Sequence, residues 1–482
     1  MKNVILSAAA LMLGAMTYAQ TPPAPSTVPN SSADPYANKA KTVQTGNDQI
    51  VKVRQIGYYN SAKATQANGV MPEGDNEGLL EQYGVANKAE TRQAGRENQA
   101  HTLQLSKYNR ARIDQGPDSG GLTAQNNKAQ IKQGATEGEI TGQDNHAYIK
   151  QNDDRNQAKI EQLNDNNEAW TEQDGDDNKS QIRQTSTGAN TFFGQDDQGQ
   201  YAKVLQDGDD NKSKVDQDGE GVRNNAYTTQ KGDNNIAVQD QYNEDSHDDG
   251  NDQNTARIQQ GFGGHDSNFA SAYQKQVGAG NDALIKQRKG DSNSSNMAIQ
   301  KQDGRDNDAT ITQTMNNSGS KDNYAYQKQY GDDNDADLTQ NGKGNKGFQK
   351  QYGDDNDADL VQDGTGNKAY QKQWGDDNVV NSLQDGDNNK LNTYQFGDDN
   401  WAKTRQYQDN NGALVVQYGG QSADVYQNGN ENSAHIYQAT PAYDHWYGST
   451  APEACYFPSM ETIDCPDFDI PNLDLEPVCD GC

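Results

Sequence analysis

Along most of this chain, residues of two kinds alternate one by one, and the alternation is interrupted at regular intervals by Gly, Asp and Asn. A typical stretch places Asn356, Ala358, Leu360 and Gln362 on one parity and Asp357, Asp359 and Val361 on the other. Asn156, Ala158, Ile160 and Gln162 repeat the first set. Residues two apart share one face of a strand, so the small, apolar and amide positions point inward and the intervening ones outward. The interruptions read Gly-Asp-Asp-Asn, Gly-Lys-Gly-Asn or Asp-Gly-Asp-Asn. These are turn formers, with Gly placed where φ must be positive.

The phrase "amide, spacer, small residue, three positions, Gln" returns more than thirty times between Asn38 and Gln438. Where copies run without interruption the period is eleven residues: Asn323, Asn334, Asn345, Asn356, Asn367, Asn378, Asn389, Asn400 and Asn411. An eleven-residue period also suits a right-handed helical supercoil. That reading fails here, because Gly and paired Asp fall in every period and the apolar residues alternate. Units of 22 match more closely than units of eleven, since the strand from Asn345 resembles that from Asn367 and the strand from Asn356 that from Asn334.

The pattern predicts an all-β fold, a cross-β solenoid of strand-turn-strand repeats of 22 residues in two parallel sheets. At the usual strand separation of ~4.8 Å, about sixteen rungs make a rod roughly 75 to 80 Å long. Stacking would place amide over amide, with the ladder carried by Asn323, Gln329, Asn334, Gln340, Asn345, Gln351, Asn356, Gln362, Asn367 and Gln373. Each buried amide can then donate to one neighbour and accept from the other. An unpaired buried amide costs about 1–3 kcal/mol, so a polar core requires such stacking.

Composition agrees only once the repeat is seen. A net charge of -30, 30% hydrophobic residues and a low mean hydropathy would otherwise describe a disordered chain. Four regions result: a signal peptide over 1–19, a Pro-rich linker over 20–37, the repeat array over 38–438, and an acidic tail with Pro and Cys over 439–482. The signal reading rests on Lys2, the apolar run Val4 to Leu13, and small residues Thr17 and Ala19 before Gln20. The run is too short for a membrane span. All four Cys lie in the tail, at Cys455, Cys465, Cys479 and Cys482. In an oxidising compartment they suggest two disulfides of undetermined pairing, while Cys479-x-x-Cys482 also has zinc-ligand spacing.

The outward positions divide by strand. One set gives Tyr324, Tyr326, Lys328, then Lys346, Phe348, Lys350, then Lys368, Tyr370, Lys372. The other gives Asp335, Asp337, Asp357 and Asp359, before Val379 and Trp401. The rod is expected to carry a Lys-aromatic face and an acidic face, which either stand in solvent, mate between filaments, or adhere to surfaces.

The strand phrase, its Gly-containing turn and the pairing into 22-residue units resemble the curlins, the subunits of curli-type amyloid fibres in bacterial biofilms. The resemblance spans Asn38 to Gln438. The array is much longer than a curlin's, its turns are more acidic, and it is interrupted near Gly116, Glu137, Glu244 and Asn316; the Cys-bearing tail has no curlin counterpart. The resemblance implies a secreted, cell-surface-associated structural protein that self-assembles by edge-to-edge strand addition. It also implies partners: a nucleator, an outer-membrane secretion pore with accessory proteins, and surfaces or matrix polymers. A monomeric solenoid adhesin is the alternative, and the Pro-rich segments could cap the rod's edges.

Other chemistry finds little support. The six His are scattered and the carboxylates belong to a repeated turn, so no enzyme and no cofactor is expected. Net negative charge opposes nucleic-acid binding. Calcium is the remaining candidate, because Asp332, Asp333, Asp354, Asp355, Asp376, Asp377, Asp398 and Asp399 would align in columns. Like charges ~4.8 Å apart repel by about 0.9 kcal/mol in water, which a cation would relieve. The spacing nevertheless lacks the EF-hand pattern.

Overall fold

The computed structural model describes residues 36–440 except 68–74, 117–123, 135–141, 188–198, 221–222, 244–252, 263–265, 289–295 and 315–321. The signal, most of the linker, the tail with its four Cys and most of the interruptions lie outside the described residues. Among the described residues thirty-two strands run from β1 (Lys39–Thr45) to β32 (Ser433–Ala439). Odd-numbered strands form one 16-stranded sheet, here sheet A, and even-numbered strands form another, sheet B. Every pairing is parallel, and each strand bonds to the strand two along the chain. The architecture is the expected β-solenoid, one strand of each sheet per rung.

Insertions leave the register intact. Gln115 and Gln151 are 36 residues apart, yet the side chain of the first still donates to that of the second at 2.9 Å. A uniform 22-residue step gives the same contact between Gln362 and Gln384. Extra residues therefore enter between strands, where the backbone is already turning, and the hydrophobic parity of each strand is untouched.

The turn is tightly specified. Gly331, Gly353 and Gly375 have φ of 116°, 115° and 123°. A Cβ on Gly353 would lie 2.4 Å from the carbonyl oxygen of Gly375 on the next rung, so no side chain fits. The residue before each lead Asn is also left-handed: Asp333, Asp355, Asp377 and Asp399 have φ of 54° to 59°. Asp and Asn tolerate that region better than most residues, which accounts for the acidic turn without invoking a ligand.

Inside, small and aliphatic residues form a thin core between the sheets. Ala358, Leu360, Ala336 and Leu338 are buried, as are Ala158, Ile160, Ala129 and Ile131. One lead position departs from the phrase: before β18 (Ser271–Ala279) it is buried Ala270, whose backbone N–H still donates to the Asn235 side chain. The outward assignment holds in direction, but an outward position need not be exposed. Tyr326 and Tyr370 lie on the outer face yet are buried, because rings and lysine stems from adjacent rungs cover them.

Candidate assembly site

The interior ladder is continuous. In sheet B, Gln329 donates to Gln351 at 3.0 Å, Gln351 to Gln373 at 3.1 Å, and Gln373 onward to Gln395. In sheet A, Gln340 donates to Gln362 at 2.8 Å. The same Nε2 groups reach across the core, as Gln351 donates to the backbone carbonyls of Asp335 and Asn356 on the facing side. The ladder thus ties rung to rung and sheet to sheet. That satisfies the glutamine amides a thin core cannot avoid burying.

The Asn columns combine the expected amide-on-amide stacking with bonds to the turn backbone. Asn323 receives the backbone N–H of Asn345 on its Oδ1 at 2.9 Å, and its Nδ2 donates to the turn carbonyl of Gly342. Asn345 and Asn367 repeat this scheme in sheet B. Most direct Asn-to-Asn contacts lie in the columns leading into sheet A, such as Asn356 Nδ2 to Asn334 Oδ1 at 3.0 Å, and one from Asn432 Nδ2 to Asn411 Oδ1 at 2.9 Å leads into sheet B. Asn at the strand entrance therefore serves the turn, where backbone groups lack ladder partners.

Sequence reasoning missed a second glutamine ladder. Gln239, Gln274, Gln300, Gln327, Gln349 and Gln371 occupy the fourth-offset position in sheet B, where an aliphatic residue was expected. All are buried. The signal was available in the recurring Tyr-Gln-Lys-Gln phrase at Tyr326–Gln329 and Tyr370–Gln373.

The acidic turns carry a column of their own. Asp354 accepts the backbone N–H of Asp332 at 2.9 Å, Asp376 that of Asp354, and Asp398 that of Asp376. These carboxylates staple one turn to the next. Among the described residues, no three His, Cys, Asp or Glu converge as a metal-ligand set. The calcium candidates are brought into line along the rod, not around a point.

Both ends of the array present edges. Among the described residues β1 and β2 (Ile50–Tyr58) each pair with one strand only, as do β31 (Ser422–Asn428) and β32. β1 is exposed along its whole length, and Val43, Ile50 and Ile56 are exposed apolar side chains there. The ladder also has a direction. Gln44 donates to Gln66 and Gln55 to Gln82, and at the far end Gln406 donates to Gln427 and Gln417 to Gln438. Every glutamine-to-glutamine donor of this ladder points toward the C-terminal end of the rod.

A parallel β-solenoid with a stacked amide core is the class of protein these features define. The sequence profile of the curlin associated repeat matches residues 331–364 and 353–381. The matched segment lies in the most regular part of the array, and the same strand phrase and ladder extend through the other rungs. No curated protein matches the chain.

Proposed function

We propose that this chain is a secreted structural subunit of curli-like fibres in the extracellular matrix, growing head to tail by strand addition at its ends. The observation that carries the reading is the polarity of the ladder. The N-terminal edge offers the side-chain oxygens of Gln44 and Gln55, and the C-terminal edge offers the Nε2 groups of Gln427 and Gln438. A second copy set end to end would continue both sheets in parallel, with β1 following β31 and β2 following β32. Such a contact is heterologous and does not close, so it propagates as a filament. Its role is structural and non-catalytic, and its accessory partners are a nucleator and a secretion pore of the curli kind.

Electron microscopy of the purified mature chain, with thioflavin fluorescence, tests this. Filaments many times the length of one rod are expected, and Gln427→Lys with Gln438→Lys should leave rods folded but short. Unsubstituted chains that persist as dispersed single rods would favour the monomeric adhesin instead.

A further inference from the structure

The stretch from β18 to β26 (Lys368–Trp374) carries opposite charge on its two outer faces. On sheet B, Lys275, Lys301, Lys328, Lys350 and Lys372 stack directly over one another. On sheet A, Asp282, Asp308, Asp335 and Asp357 form one column, and Asp337 over Asp359 begins a second. Both columns occupy the same rungs and share one repeat distance, so a lysine column and an aspartate column are commensurate at every step.

We propose that two copies of this chain pair side by side, the lysine column of sheet B on one copy lying against the aspartate columns of sheet A on the other. Three observations support it. The lysines are held in place, since Lys350 Nζ sits 5.7 Å from the ring centre of Tyr326 and 5.8 Å from that of Tyr370, and Lys372 lies 4.8 Å from that of Trp374. Little side-chain freedom is then lost on pairing. The aspartates carry an unfavourable like-charge column: partial burial, then Asp282 and Asp335, push Asp308 up to about 6, and partial burial, then Asp359 and Asp335, push Asp357 up to about 6. For Asp308, Asp335 and Asp357 an opposing row of cations supplies the counter-charge that neighbouring rungs of their own face do not. Finally, the Lys face is also aromatic, with Tyr326, Phe348 and Tyr370 in contact along it, so pairing buries apolar area as well as charge.

Pairing is lateral and independent of growth at the ends, so it is read separately, as sedimentation of short rods, while elongation is read as filament length. Two reversed chains provide the test: one with Lys275, Lys301, Lys328, Lys350 and Lys372 changed to Asp, the other with Asp282, Asp308, Asp335, Asp337, Asp357 and Asp359 changed to Lys. Each alone should lose lateral association at least tenfold, and an equimolar mixture should regain it. Single variants that pair like the native chain would overturn the proposal. So would a mixture that stays dispersed, the result expected if the chain's own acidic tail covers the lysine face. Should a reversed chain lack β-sheet circular dichroism, Lys350→Gln with Lys372→Gln, and Asp335→Asn with Asp357→Asn, replace them. Each pair should weaken association several-fold at low salt, and no change would overturn the proposal.

Discussion

Two stretches of the rod solve the same stacking problem with different outer faces. From β3 (Ser61–Ala67) to β11 (Glu168–Asp174) charges pair across rungs: Lys63 with Glu90 at 2.6 Å, Arg92 with Asp114 at 3.1 Å, Lys132 with Glu161 at 3.0 Å and Lys150 with Glu172 at 3.1 Å. From β18 to β26 the columns instead repeat one charge, Lys over Lys on sheet B and Asp over Asp on sheet A. The cores differ too, since Ile131 and Ile160 in the first stretch give way to Gln327, Gln349 and Gln371 in the second. A stacked repeat places each residue on its own copy. An amide both donates and accepts, so it gains from self-stacking, whereas a charge meets its like and loses. Near-identical units therefore strengthen the interior and strain the surface, and divergent units allow surface pairs to form.

The largest test removes the part both stretches share. Gln133→Ala with Gln162→Ala in the first, and Gln351→Ala with Gln373→Ala in the second, should destabilise to a similar degree. Each buried amide left without a partner costs about 1–3 kcal/mol. Denaturant midpoints and the lag of thioflavin fluorescence measure the loss. A loss confined to one stretch would show that the cores, not only the faces, are energetically distinct.

Much of this was legible because period and parity are backbone properties. The two-residue alternation, the 22-residue unit and positive-φ Gly determine the solenoid, its two sheets and the inward Gln columns. The second glutamine ladder was not read, because the inward Leu360-like position was expected to be aliphatic, and a Gln there finds its partner in a facing carbonyl, as Gln349 donates to that of Ala358. Burial of Tyr326 was hidden for a related reason: alternation tells which way a side chain points, but not what the next rung lays over it. The Asn scheme depends on turn carbonyls, whose orientation follows from φ and not from sequence spacing. Ladder polarity, on which the proposed growth rests, is likewise set by which way the glutamine amides rotate in concert.

Acidification should act on the two stretches with opposite sign. The Asp308 and Asp357 carboxyls are raised to about 6, above their unfolded value of about 3.9, so the folded state holds these protons more tightly. Their contribution to stability is full below the unfolded value and is lost as pH rises through about 6. Glu90 is lowered, chiefly by the hydrogen bond from Lys63, and Glu161 is lowered because Lys132 and nearby cations outweigh its burial. Their contribution is present above about 4.3 and is lost as pH falls through the lower folded values. Hydrogen exchange resolved by peptide, corrected for intrinsic rate, should show strands β19 (Asp282–Gln287) to β25 (Asp357–Thr365) better protected at pH 4.5 than at pH 7. Peptides holding Glu90 and Glu161 should change little over that range and lose protection only below it. Parallel behaviour in both sets would remove the electrostatic part of the comparison.

Single outward substitutions should have the smallest effect, and their signs carry the information. Lys63 is half exposed, and an exposed ion pair is worth about 0.2–1 kcal/mol, so a double-mutant cycle between Lys63→Ala and Glu90→Ala should return a coupling in that range that shrinks in high salt. Lys350→Ala removes contacts with the Tyr326 and Tyr370 rings, each worth about 0.5–1 kcal/mol where exposed, but it also takes one charge out of a column of like charge. The two effects oppose, so an isolated rod carrying Lys350→Ala should be nearly as stable as the native one, and raising salt should favour the native chain by screening the repulsion that the variant lacks. A variant that instead loses stability at low salt and recovers it at high salt would mean that attraction outweighs repulsion at Lys350, and the like-charge description of that face would fall.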